Sequence, residues 1–321
     1  MLQKLTISDQ KRHLFAQLLQ RTGHKLYNQR YLWLMLLPAL IYLILFVYKP
    51  LSGWLMAFQN YSPAKGIWGS KWVGLKHFTT FVNDFQFWPI MRNTMAISLL
   101  NIVGGTFASI CLALLLNEVH CSAFKRTIQT VSYLPHFISY IVVGNIFMTI
   151  LSPNNGLVND FLMQLGIIDK PIFFFGTPKA FWFILAGINV WKEAGWDAII
   201  YLAAISGINA ELYEAAEIDG AGRLRRMWHV TLPGIRPTIV VLLIMSAGYI
   251  LSAGFEPSYV LGNAMVSDYS EVIDTYVYTM GLQNTMYSYA TAVGMFQVVI
   301  SVTMMLGANY FAKHVGERGV L

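Results

Sequence analysis

The residues of this chain that could do chemistry stand where a lipid-facing helix would carry apolar ones. Inside the hydrophobic stretch at residues 181–205 lie Asn189, Trp191, Lys192, Glu193, Trp196 and Asp197. Charges at membrane depth are costly, so they turn toward a bundle interior or an aqueous path. Two readings stand side by side. In one, Lys192 is neutralised by Glu193 or Asp197 and locks helices together. In the other, these side chains line a pathway. Gly187 and Gly195 bracket the region and allow a local unwinding.

Residues 209–237 carry the second concentration of polar chemistry, between two apolar runs. Asn209 can cap a helix, with Glu211, Glu214 and Glu217 near its positive end. Ala210, Ala215 and Ala216 favour helix and add little bulk. Gly220 and Gly222 interrupt it, and a second short helix over residues 223–230 presents Arg223, Arg225 and Arg226. Pro233 and Pro237 are expected to end that helix before the next span. The pair suits a cleft on a partner protein or, equally, the lipid headgroups.

Catalytic sets are missing. No G-x-x-x-x-G-K-[ST] occurs, so ATP binding through such a loop is expected on a separate polypeptide. His136 and His229 stand alone in the sequence and are read as satisfied or surface histidines, with no metal site. No Ser/His/Asp spacing is evident.

Glu214-Ala215-Ala216, Asp219-Gly220-Ala221, Leu232-Pro233 and Pro237 together resemble the EAA loop of binding-protein-dependent ABC import permeases. The resemblance extends over nearly the whole chain. Asn117-Glu118, Phe124-Lys125-Arg126, Gln129-Thr130, the run Tyr133-Leu134-Pro135-His136-Phe137 and residues 196–204 are similar to the subgroup importing oligosaccharides and polysaccharides, alginate included. The resemblance implies an all-α, six-helix transmembrane bundle of the type I ABC importer kind. It implies that Glu214, Ala215, Ala216, Asp219, Gly220, Ala221, Leu232 and Pro233 couple the chain to an ATPase. The implied partners are a second permease subunit, a cytoplasmic ATPase dimer, an extracytoplasmic solute-binding protein, membrane lipid and a saccharide, with no nucleic acid. ATP and Mg would belong to the ATPase, and this chain would hold no cofactor. Asn189, Trp191, Lys192, Glu193, Trp196 and Asp197 become candidates for the sugar path, by stacking and by hydrogen bonds to hydroxyls. Lys192, with Lys65, Lys71 and Lys76, would favour an anionic sugar; the acids of the last outer loop argue the other way.

Composition agrees with a membrane protein. Of 321 residues, 56% are hydrophobic and 12% charged, against about 25% charged in soluble domains. Two cysteines, Cys111 and Cys121, lie in or beside an apolar run, which argues against a disulfide framework. The net charge of +6 comes from basic residues at span ends and implies topology, not nucleic acid. No cleavable signal peptide is expected.

In chain order, residues 1–30 form a basic arm, and residues 5–19 could lie as an amphipathic helix on the membrane. Spans are expected over about 31–51, 93–116, 127–151, 181–205, 238–253 and 289–311, within a permease domain at 31–311. The outer loops are 52–92, 152–180 and 254–288, the coupling loop 206–237 and the tail 312–321. Aromatic residues of the first outer loop, Trp68, Trp72, Phe81, Phe87 and Trp88 among them, read mostly as an interfacial belt. An interfacial helix is expected around residues 157–165 of the second. The small face Gly104, Gly105, Thr106, Ala108 and Ser109 permits close helix packing. Fourteen Lys/Arg fall on the inner side and six on the outer, which places both termini in the cytoplasm of a bacterial inner membrane. The competing reading is a self-sufficient secondary transporter acting as a dimer; such folds carry repeated halves, and no convincing repeat is found.

Overall fold

The computed structural model describes residues 29–252, 254–316 and 319. Nearly all of the basic arm therefore lies outside the described residues, as does Arg318. The chain divides into two compact units, one up to Leu55 and one from Met56 on.

The first unit is helical. Helix α1, Arg30–Tyr42, continues through a π-helical turn, Leu43–Tyr48, into a short turn, Lys49–Leu51. Proline lacks an N–H and its ring presses on the carbonyl four residues back. For Pro50 that carbonyl belongs to Phe46, inside the widened turn, which relieves the conflict.

The second unit starts with two short antiparallel strands, β1 Gln59–Asn60 and β2 Lys71–Trp72. Helix α2, Lys76–Val82, leads to the 32-residue helix α3, Phe87–Glu118, which begins six residues before the expected boundary at Asn93. Phe81 and Phe87 are not interfacial: both are buried in one core cluster with Ile90, Tyr276 and Tyr289. Trp68, Phe85 and Trp88 are exposed.

The third expected span is not one straight helix. Helix α4, Ser122–Tyr133, tightens into a 3-10 turn, Leu134–Phe137, and helix α5, Tyr140–Ile150, departs at 104°. Pro135 removes a backbone donor, Ile138 is extended, and the Ser139 hydroxyl caps the new helix at Val142 N–H. Helix α6, Leu157–Gln164, is fixed by the buried Asn159, whose amide donates to the carbonyls of Ser152 and Ile172 and accepts from Ile172 N–H.

Helix α7, Pro178–Ser206, runs unbroken for 29 residues, so Gly187 and Gly195 do not unwind it. Gly195 serves close approach instead: a Cβ there would overlap the Ser132 carbonyl of α4. At Gly104 of α3 a Cβ would lie 3.2 Å from Val190 Cγ2 of α7. Helix α8, Ala210–Ile218, and helix α9, Arg223–Arg226, follow. Pro233 and Pro237 do not stop the chain. A π-helical turn, Met227–Thr231, carries α9 into helix α10, Leu232–Ala247, and places the carbonyl facing Pro233 in widened backbone. Helix α11, Phe255–Leu261, and helix α12, Ile273–Tyr278, precede the last helix, α13, Tyr287–His314.

Four described helical runs are long and apolar enough to cross a membrane: Arg30–Phe58, Phe87–Glu118, Arg223–Ala247 and Tyr287–His314. The bent pair makes a fifth if taken as one span. Helix α7 matches them in length but carries Lys192, Glu193 and Asp197. In the second unit the core falls into three clusters, and α7 contributes to two of them.

Candidate functional site

The loop between α7 and α10 is built from local rules. The Asn209 side chain accepts from Glu211 N–H at 3.1 Å, and its amide donates back to the Glu211 carboxylate at 3.0 Å. At the other end of α8, Gly220 has φ +74°. Ala221 N–H then reaches the Ala216 carbonyl at 2.9 Å and Gly220 N–H reaches that of Glu217 at 3.0 Å, the paired bonds of a Schellman cap. Gly222 is extended instead, with φ −68° and ψ 170°, so the bend requires glycine at Gly220 alone. Two side-chain contacts hold the bent pair. Tyr213 and Thr231 hydroxyls meet at 2.9 Å, and Arg226 donates to Glu217 at 3.1 Å.

What this loop presents is small and apolar beside acidic. Glu214, Ala215, Asp219 and Gly220 are exposed, and Ala216 and Ala221 are half-buried. Leu212, Ile218, Leu224 and Trp228 are also exposed, an apolar surface on a polar loop. Pro233 is exposed, whereas Leu232 packs against the cluster of Tyr201, Ile205 and Ile235. Leu232 thus anchors the loop to the bundle, while the other named residues lie on or beside its surface.

The second site is a cavity of about 620 Å³ among α3, α5, α7, α10 and α11. Helix α7 contributes Asn189, Glu193 and Asp197, spaced four apart on one face. Helix α3 contributes Ser98, Asn101 and Thr106, which also share a face. The Ser98 hydroxyl and the Asn101 carbonyl oxygen are buried with no hydrogen-bond partner among the described residues. Buried polar atoms are normally paired, so these two stand out as unsatisfied groups on residues of the cavity wall. Tyr140 OH donates to the Asn189 side chain at the cavity wall. Tyr249, Ser246 and Glu256 complete its polar lining.

Lys192, Trp191 and Trp196 do not line this cavity. The buried Lys192 ammonium donates to the His136 carbonyl and to Glu193 Oε1, each at 2.8 Å. It lies 4.9 Å from the Tyr140 ring centroid. Glu193 Oε2 meets His136 Nδ1 at 2.5 Å. His136 stacks on Trp196 with centroids 4.4 Å apart, Phe137 meets the same indole edge-on, and Trp191 packs edge-on against Phe147. The whole group braces the break between α4 and α5. The break leaves a carbonyl without a helical partner, and the ammonium occupies it. Glu193 and Tyr140 belong both to this brace and to the cavity wall.

Ser98, Asn101 and Tyr140 were not picked out by sequence reasoning, and Thr106 was read only as part of a small packing face. Their signal was present: polar residues three and eight apart, at Ser98, Asn101 and Thr106, mark one face of an apolar helix. Tyr140 carried none, because its approach to Asn189 depends on the helix break.

Comparisons with known proteins identify the family. The family described as binding-protein-dependent transport system inner membrane component matches residues 105–317. The polygalacturonan/rhamnogalacturonan transport system permease protein YteP of Bacillus subtilis (strain 168) is 45% identical over 296 residues, 92% of each chain. Protein LplB of the same organism is 42% identical over 293 residues, covering 91% of this chain and 92% of that one. A bacterial alginate ABC transporter, solved in complex with alginate pentasaccharide-bound periplasmic protein, contains a chain of the same fold. It has a TM-score of 0.85 and 39% identity over 94% of this chain and all of that one. These likenesses establish that the chain belongs to the binding-protein-dependent transport system inner membrane component family, as a multi-pass permease subunit of an ABC importer with the type I fold.

Proposed function

We propose that this chain forms, with a second permease subunit, the path by which an oligo- or polysaccharide crosses the bacterial inner membrane. The observation that carries the reading is the 620 Å³ cavity walled by hydroxyl, amide and carboxylate groups, two of whose buried oxygens have no partner among the described residues. Such a wall matches sugar hydroxyls, which both donate and accept. The relative named for polygalacturonan and rhamnogalacturonan and the structure holding an alginate-loaded periplasmic protein favour an acidic saccharide. The carboxylates Glu193, Asp197 and Glu256 repel a uronate, and Lys192 is engaged in the brace. The positive charge that a uronate needs is therefore assigned to the partner subunit.

A solute-binding protein delivers the sugar on the outer side. A separate ATPase dimer, holding ATP and Mg, receives Glu214, Ala215, Ala216, Asp219, Gly220 and Ala221 on the inner side. The charge asymmetry of the loops supports cytoplasmic termini. Closure of the ATPases moves α8, and Tyr213–Thr231 and Arg226–Glu217 pass that movement to α10. The test is ATP hydrolysis by the assembled complex in lipid, with its binding protein loaded with neutral or acidic oligosaccharides. Stimulation by acidic oligomers is expected. Stimulation by neutral ones alone would overturn the acidic assignment, and none by either would overturn the saccharide reading.

A further inference from the structure

The break between α4 and α5 has no backbone bond across it. Ile138 and Ser139 are both extended. Ile138 N–H turns back to the Pro135 carbonyl, and the Ser139 carbonyl turns forward to Val143 N–H, so each bond stays on its own side. Two residues outside any helical ladder leave soft dihedrals at the joint, and its angle depends on what each side touches. Both sides are tied to α7. Before the break, His136 offers its carbonyl to Lys192 and its ring to Glu193. After it, Tyr140 donates its hydroxyl to Asn189 and sets its ring over the Lys192 ammonium. Lys192 also donates to Glu193, so one ammonium serves both sides of the joint.

The same groups face the path. Tyr140, Asn189 and Glu193 all line the 620 Å³ cavity, and the Glu193 side chain is 26% exposed, within reach of a molecule in it. Both Glu193 carboxylate oxygens and the Asn189 side-chain oxygen are already engaged in the brace. A sugar hydroxyl that donates to them draws on acceptors that His136, Lys192 and Tyr140 already use. A ligand shifts a conformational equilibrium when it binds one state better than the other, and here the state with the brace loosened has the freer acceptors. We infer that Tyr140 and Glu193 are positioning residues that couple occupancy of the path to the angle between α4 and α5: the empty cavity keeps the joint braced, and a sugar in it releases the joint. This coupling rests on the proposed saccharide path and adds to it the joint that senses the sugar.

Thr127 of α4 and Thr149 of α5 are exposed, and their hydroxyls bond carbonyls of their own helices. Spin labels on Thr127→Cys and Thr149→Cys, with Cys111 and Cys121 replaced by serine, therefore report the joint without touching the brace. The distance between them is measured by double electron–electron resonance in the complete importer in lipid nanodiscs, trapped with ATP and vanadate, its binding protein empty or loaded with a galacturonate oligomer. One distance is expected without the oligomer and a second with it. Tyr140→Phe deletes the bond to Asn189 and keeps the ring over Lys192. It should raise the population of the second distance about five-fold in the absence of sugar, the shift that one lost hydrogen bond gives a two-state equilibrium, and raise sugar-free ATP hydrolysis in step. An unchanged distance on adding the oligomer, while the wild-type complex still takes it up, would overturn the coupling and leave the path intact. So would a sugar-free population in Tyr140→Phe equal to that of the parent. Absence of saccharide uptake by the wild-type complex would overturn the path itself, and the coupling with it.

Discussion

Removing the Lys192 ammonium strands three groups at once: the His136 carbonyl, the Glu193 carboxylate and the face of Tyr140. Breaking a buried pair by taking away one partner costs about 3–5 kcal/mol, because the other charge stays behind. Lys192→Met is therefore expected to lower the unfolding temperature of the purified complex and to depress uptake of acidic and neutral sugars alike. Loss confined to acidic sugars would place Lys192 back in the path. Asn101 gives the opposite contrast. Its carbonyl oxygen is unpartnered at the cavity, so Asn101→Leu should leave stability within about 1 kcal/mol of wild type and raise KM for uptake. An unchanged KM would remove Asn101 from the sugar path.

At the scale of elements, glycine does two different jobs. Gly220 supplies a left-handed backbone, φ +74°, in open space. A β-branched residue there costs on the order of 1–2 kcal/mol in the turn and re-aims α8. Gly220→Val should abolish stimulation of ATP hydrolysis by the loaded binding protein while the chain still inserts; full stimulation would detach α8 from coupling. Gly195 supplies proximity, since a Cβ would strike the Ser132 carbonyl of α4. Overpacking of that kind costs about 1–3 kcal/mol. Gly195→Ala is expected to weaken the complex and slow uptake, and Gly187→Ala, where a Cβ meets no atom within 4 Å, to do neither. Thermal unfolding of the two variants side by side decides the matter, and equal behaviour would dismiss the brace as a packing joint.

For the whole molecule, the exposed Cys121 tests orientation. It lies between α3 and α4, just before the helix that carries Lys125 and Arg126, in a connection read as cytoplasmic, while Cys111 is half-buried. A membrane-impermeant maleimide should label Cys121 in inside-out vesicles and not in intact cells with a permeable outer layer. Labelling from outside would invert the topology and move α8 away from any cytoplasmic ATPase.

Much of this was determined by the sequence alone. Apolar run length, the clustering of Lys and Arg, the Asn209 cap and the glycine bend at Gly220 are all local or additive properties, and a linear chain displays them. The family follows from the same residues, because Glu214-Ala215-Ala216 and Asp219-Gly220-Ala221 lie close together in sequence. The tertiary structure decided the rest, because those facts depend on which face of one helix meets another. It kept the chain helical through Pro233 and Pro237, since a widened turn can take up a proline conflict that composition cannot foresee. It broke the third span at Ile138 and set Lys192 against the break. It drew Trp191 and Trp196 into that brace and left Asn189, Glu193 and Asp197 on the cavity. A charge in mid-helix announces only that it needs a partner. Whether the partner is a neighbouring helix or a passing sugar is settled by geometry across more than fifty residues of chain, as between His136 and Glu193.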